Sequence, residues 1–138
     1  MYRGSCLCGG VTYQINGELG ALGFCHCQRC QKANGTAFNA AALVKVADLD
    51  VVTGRELMTD YESSPGVFRV FCRVCGAPLF SRRTAMPEAV RLRVGTLDTP
   101  WPTRPTAHIF VASKAPWFDI LDDAPQFAER PPAPTGKP

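Results

Sequence analysis

The sequence predicts a mainly β chain of short strands and turns, with clustered cysteines as its staples. Three observations carry that expectation. Apolar residues alternate over short stretches instead of recurring at helical spacing. Twelve glycines and twelve prolines are spread along 138 residues, which suits short elements. Seven cysteines fall into three clusters, Cys6-x-Cys8, Cys25-x-Cys27-x-x-Cys30 and Cys72-x-x-Cys75.

The elements follow in chain order. Val11, Tyr13 and Ile15 alternate with Thr12 and Gln14, a half-buried strand, and Asn16-Gly17 supplies a turn. Gln28 to Ala33 reads as a short helix that stops at Asn34-Gly35, because both residues accept the left-handed exit conformation. Ala37 to Val46 is a longer apolar stretch, and Thr53-Gly54 is a turn. Ser63-Ser64-Pro65-Gly66 is the strongest breaker in the chain. Val67 to Cys72 carries apolar residues on both faces, and Leu79-Phe80-Ser81 returns as its hairpin partner. Val90, Leu92 and Val94 alternate with Arg91 and Arg93, and Ala107 to Val111 is the last candidate strand. The expectation is one domain over residues 1–127 and a disordered, proline-rich tail over 128–138.

Composition narrows the class. Hydrophobic residues are 46% and charged residues 20%, a globular balance that excludes a disordered or collagen-like chain. No apolar run reaches the roughly 18 residues of a membrane span. Met1-Tyr2-Arg3-Gly4-Ser5-Cys6 has no apolar leader core, so a soluble, unexported, cytoplasmic protein is expected. In a reducing compartment seven cysteines, an odd number, point to metal and away from disulfides. Seven thiolates and two Zn²⁺ ions together carry three negative charges, which offsets the formal net charge of +3. The basic excess therefore does not advertise a nucleic-acid surface, and Arg69, Arg73, Arg82, Arg83, Arg91 and Arg93 lack the helix or aromatic interleaving of such a motif.

A tetrahedral zinc takes two cysteines from one turn and two from a distant one. Cys72-Arg73-Val74-Cys75-Gly76 is such a turn, with Gly76 permitting a tight backbone. Cys6 and Cys8 can supply the other half, since residues two apart in an extended segment point the same way. Four thiolates close the site, which makes it structural and pins the N-terminal segment to mid-chain. Cys25, Cys27 and Cys30 give only three, and an open fourth position is what a catalytic zinc needs. His26 should point away from that metal, whereas His108 can reach it and close the site as Cys₃His. Three thiolates make bound water less acidic than on a three-histidine zinc. Such a centre favours capture of a thiol as the fourth ligand over plain hydrolysis.

Gly4-Ser5-Cys6-Leu7-Cys8-Gly9-Gly10-Val11, Cys25-His26-Cys27-Gln28-Arg29-Cys30, the Ser63 to Gly66 turn, Phe71-Cys72-Arg73-Val74-Cys75-Gly76 and Lys114-Ala115-Pro116-Trp117 together resemble the glutathione-dependent formaldehyde-activating enzyme family, also called the centromere protein V family. The likeness runs from about residue 4 to 127. It implies several coiled antiparallel β-sheets stapled by zinc, similar to the Mss4 fold. It also implies a structural zinc on Cys6, Cys8, Cys72 and Cys75 and a catalytic one on Cys25, Cys27 and Cys30. The activity it implies is that of a carbon–sulfur lyase acting on glutathione and formaldehyde, of the S-(hydroxymethyl)glutathione synthase kind.

Arg29 and Lys32 flank the three-cysteine site and are candidates to bind the carboxylates of an anionic thiol; the plainer reading is solvated charge. His108 is a candidate proton shuttle, against a role as a satisfied structural histidine. Trp101, Trp117 and Phe118 read as core or pocket wall. The expected partners are a small thiol such as glutathione and an aldehyde, with no nucleic acid and no membrane. The rival to the enzyme is a non-catalytic zinc module that binds a protein. A thiol redox protein, the third option, would need a disulfide in place of the middle zinc.

Overall fold

The computed structural model describes residues 1–131. Ten strands and one helix make it mainly β. In order they are β1 (Tyr2–Ser5), β2 (Thr12–Ile15), β3 (Gly23–Cys25), α1 (Gln28–Asn34), β4 (Asn39–Lys45), β5 (Leu49–Thr53), β6 (Met58–Ser64), β7 (Val67–Cys72), β8 (Pro78–Arg83), β9 (Met86–Arg93) and β10 (Ala107–Ile109). The described residues divide into two compact units, one of Met1–Leu22 and Ala40–Arg104, the other of Gly23–Asn39 and residues 105–131. Among the described residues no helix is long and apolar enough to cross a membrane.

In the first unit, β1, β2 and β5 form an antiparallel sheet in that order. β4, β9, β8, β7 and β6 lie side by side in a second antiparallel arrangement. Alternation places Tyr13 and Ile15 of β2 in one core cluster with Val44, Val90 and Leu92. A second cluster joins Cys6, Val11, Cys72 and Leu79, so two cysteines of the first group are core residues. The β7–β8 hairpin forms as the alternation predicted, with Arg69 opposite Ser81 and Val70 opposite Phe80. Gly66, at the end of the predicted breaker, has φ 73°, which a side chain would resist.

In the second unit, β3 and β10 pair in parallel, with His108 opposite Phe24 and Ile109 opposite Cys25. The helix runs one residue past the predicted Ala33. Gly35 ends it at φ 66°, its amide donating to the Gln31 carbonyl.

The structure departs from several expectations. Cys6-Leu7-Cys8 is a turn and not an extended segment: the Gly9 amide donates to the Cys6 carbonyl at 3.0 Å. β9 ends at Arg93, and Val94–Thr96 is a single 3₁₀ turn closed by Leu97 N–H on the Val94 carbonyl. The predicted strand at Ala107 to Val111 stops at Ile109, because Phe110 turns left-handed at φ 57°. β1, β5 and β6 had no periodic signal. β6 carries Thr59, Asp60 and Glu62 and is ordered by its six-residue register with β7. Of the expected disordered tail, residues 132–138 lie outside the described residues. Ala128 and Glu129 accept backbone hydrogen bonds from Ala112 and Phe110.

Candidate metal centres

The seven cysteines assemble as two groups, and among the described residues no disulfide joins any of them. In the first unit the Sγ atoms of Cys6, Cys8, Cys72 and Cys75 all lie within 4.8 Å of one another. Two tight turns bring them there. One places Cys6 and Cys8 3.5 Å apart; the other returns the chain from Cys72 to Cys75, with the Gly76 amide on the Cys72 carbonyl at 2.7 Å. The Sγ of Cys8 lies 3.9 Å from that of Cys72. Tetrahedral zinc–thiolate geometry puts its sulfurs about 3.8 Å apart, from a bond of about 2.3 Å. The donor set therefore fits a metal ion of zinc's preference.

Packed sulfurs cannot all ionise without a cation. The Ala77 amide lowers the Cys75 thiol to about 6, helped by the Cys8 amide and the neighbouring sulfurs. The Gly10 amide also favours the Cys8 thiolate, but the adjacent sulfurs, Cys6 foremost, outweigh it and push that thiol up to about 11. A divalent cation removes this conflict by stabilising every thiolate at once.

In the second unit, Cys25 ends β3, Cys27 caps α1 and Cys30 lies in its first turn. Their three sulfurs also lie within 4.8 Å of one another. The Cys30 amide donates to Cys27 Sγ at 3.4 Å, which ties the capping residue to the helix. The Cys27 and Cys30 sulfurs, with burial, push the Cys25 thiol well above its usual range. No histidine or carboxylate joins this group among the described residues; His108, the alternative fourth ligand, lies outside it.

Buried His108 instead occupies the middle of a chain that runs from buried His26 to exposed Asp122. Its Nδ1 lies 2.8 Å from His26 Nε2, and its Nε2 lies 3.0 Å from both carboxylate oxygens of Asp122. The Ala124 amide, then His108, hold the Asp122 carboxyl below its usual range, so it is ionised and accepts only. The ionised carboxylate accepts from His108 Nε2–H. His108 Nδ1 and His26 Nε2 share one proton, and which ring donates depends on the tautomer. His26 Nδ1 is buried and has no hydrogen-bond partner among the described residues. Burial, then His108, keep His26 in its neutral form to lower pH than usual.

The chain holds the cysteine segment from several sides. The His26 amide donates to the Ile109 carbonyl at 2.9 Å, and Gln31 Nε2 donates to the His26 carbonyl at 2.8 Å. Phe24 and Phe38 stack 4.2 Å apart, and Phe118 lies beside Phe38 and His26. Lys114 Nζ donates to the carbonyls of Ala115 and Phe118, closing the loop that carries Phe118. Arg29 and Lys32 sit exposed on α1, on either side of buried Cys30. Trp117 is 69% exposed and is no core residue, while Trp101 lines a cavity of about 260 Å³ with Leu97 and Asp98. Asp122 was missed because nothing in its surrounding sequence, Leu121-Asp122-Asp123, marks it as a histidine partner.

Comparisons agree with these motifs. A Halomonas elongata protein described as "Putative glutathione-dependent formaldehyde-activating enzyme" is 30% identical over 128 residues, covering 87% of this chain and 81% of that one. A Schizosaccharomyces pombe protein described as an "Uncharacterized lyase" is 30% identical over 79 residues, 57% of this chain and 56% of that one. A crystal structure of a Rhodobacter sphaeroides protein matches with a TM-score of 0.60 and 30% identity, covering 72% of this chain and 91% of that one. The family model for the glutathione-dependent formaldehyde-activating enzyme matches residues 1–113, which span both cysteine groups, and the chain belongs to that family.

Proposed function

We propose that this protein is a zinc-dependent carbon–sulfur lyase that joins a glutathione-like thiol to an aldehyde, or cleaves their adduct. The observation that carries the reading is the Cys25, Cys27 and Cys30 group, which offers three sulfurs and no fourth protein ligand among the described residues. Zinc held there supplies a Lewis-acidic centre that favours the thiolate form of an arriving thiol. Cys6, Cys8, Cys72 and Cys75 would hold the second, structural zinc, since four sulfurs leave no position for substrate.

The chemistry forms one carbon–sulfur bond. The thiol sulfur attacks the aldehyde carbon, the carbonyl π bond opens, and the proton lost from sulfur ends on the oxygen. Arg29 and Lys32 offer countercharges to the carboxylates of an acidic thiol from the helix that carries Cys30. His108 holds its proton at Nε2 against Asp122, orients His26 through Nδ1, and so fixes the segment between Cys25 and Cys27. The setting within the cell on this reading is the cytoplasm.

Exchange spectroscopy on glutathione and formaldehyde tests the reading, because it measures how fast the adduct forms and breaks at equilibrium. The zinc-loaded protein should accelerate the exchange, and Cys27→Ser should abolish the acceleration. An exchange rate equal to that of buffer would refute the assignment.

A further inference from the structure

The first unit contains a cavity of about 500 Å³ to which the proposed thiol chemistry assigns no role. It lies between β5, which contributes Leu49 and Val51, and the strands that contribute Met58, Phe80 and Val90. Its floor is supported from below by both core clusters. Val51, Met58 and Phe80 pack on the cluster around Cys72 and Leu79, and Leu49 and Phe80 also pack on the cluster around Ile15 and Leu92. The register shift between Arg82 and Arg83, where β8 meets β9, bends the strand end beside it. A volume of this size lies within the range of small-molecule sites, roughly 300–1,000 Å³.

The polar lining is of one sign. Arg55, Arg82 and Arg83 contribute to it, and among the described residues no Asp or Glu lines the cavity. Arg82 is already committed: its Nη2 meets Asp60 Oδ2 at 2.5 Å and its guanidinium stacks 4.1 Å above Phe68. Arg55 and Arg83 add two further positive charges, and Thr84 adds a hydroxyl. A neutral apolar molecule would gain only burial here. An anion with an apolar body would gain burial on the floor and charge-assisted hydrogen bonds at the arginines.

We infer that this cavity is a second ligand site, for an amphipathic organic carboxylate whose hydrocarbon part lies over Val51, Met58 and Phe80 and whose carboxylate meets Arg55, with Arg82 and Arg83 adding positive charge to the lining. Glutathione lacks such a hydrocarbon body, so the site is separate from the thiol chemistry and stands or falls independently of it.

The three methionines make the test local, because Met58 lines the cavity whereas Met1 and Met86 do not. The full, metal-loaded chain carrying ¹³C-methyl methionine is titrated with decanoate below its micelle-forming concentration, and separately with decan-1-ol. Decanoate should shift the Met58 methyl saturably and bind more tightly than the alcohol. Arg55→Gln, an exposed change that leaves the core untouched, should weaken decanoate by about tenfold, the value of one charge-assisted hydrogen bond, and leave decan-1-ol unchanged. Three results would each overturn the assignment: a Met58 methyl that does not move, equal affinity for acid and alcohol, or decanoate affinity unaffected in Arg55→Gln.

Discussion

His108 Nδ1 lies 2.8 Å from His26 Nε2, so the residue between Cys25 and Cys27 is oriented by a strand 82 positions away in sequence. Asp122 anchors the far side of His108, its ionised carboxylate accepting from His108 Nε2–H.

That anchor gives a pH signature. The Asp122 carboxyl titrates below its unfolded value of about 3.9. Its contribution to stability is therefore complete above roughly pH 4 and is lost as pH falls through the lower folded value. Asp122→Asn should melt below the wild type at neutral pH, and the gap should close under acid. Thermal melts at several pH values measure it, and a gap that stays constant into acid would rule the anchor out.

Tyr13 gives the opposite signature. Burial pushes its phenol up to about 12, and its hydroxyl meets Thr96 Oγ1 at 2.7 Å. The stability tied to the neutral phenol is complete below about pH 10, the unfolded value, and is lost as pH rises through 12. Tyr13→Phe should cost about 1 kcal/mol at neutral pH and should flatten the alkaline limb. Gly4 makes room for this ring, since a Cβ there would stand 2.1 Å from Tyr13 Cζ and Oη and 2.7 Å from the Thr96 carbonyl. Gly4→Ala should therefore cost about 1–3 kcal/mol or more. Tyr13→Phe should not rescue it, because the Cζ clash remains. Denaturant unfolding of the single and double variants decides the point.

The two cysteine groups should respond differently to the same substitution. Cys72 is fully buried and belongs to a core cluster, and its group joins residues 64 apart in sequence. Cys27 belongs to a group closed within six residues. Cys72→Ser should cost on the order of several kcal/mol, because a structural metal's binding energy is folding energy. Cys27→Ser should cost less stability and all activity. Mild chelation should strip the three-cysteine group first and leave the fold standing. Equal destabilisation by the two variants would contradict this division of roles.

Much of this was legible in the sequence. Both cysteine groups follow from spacing, and α1 follows from its Asn34-Gly35 stop, where a left-handed residue closes the last turn. The β7–β8 hairpin follows from alternation beside a strong breaker. Edge strands were not legible: β1 and β6 have no apolar periodicity, and pairing with β2 and β7 orders them. Nor was the turn at Cys6-Leu7-Cys8, because the sharing of a metal by two nearby cysteines is compatible with either backbone. The His26–His108–Asp122 chain depends on the parallel pairing of β3 with β10, a tertiary event that no local pattern encodes.

The central claim is that the Cys25, Cys27 and Cys30 group takes a thiol as its fourth ligand. Zinc-edge X-ray absorption on the protein carrying two zinc ions reads it most directly. Without glutathione, the average sulfur count per zinc should lie midway between three and four, from one group of three and one of four. Glutathione should raise the average to four. In Arg29→Ala the rise should need more glutathione, and added salt should narrow the difference from wild type, because exposed charges are screened. A sulfur count that does not change at millimolar glutathione, with zinc still bound, would contradict the account.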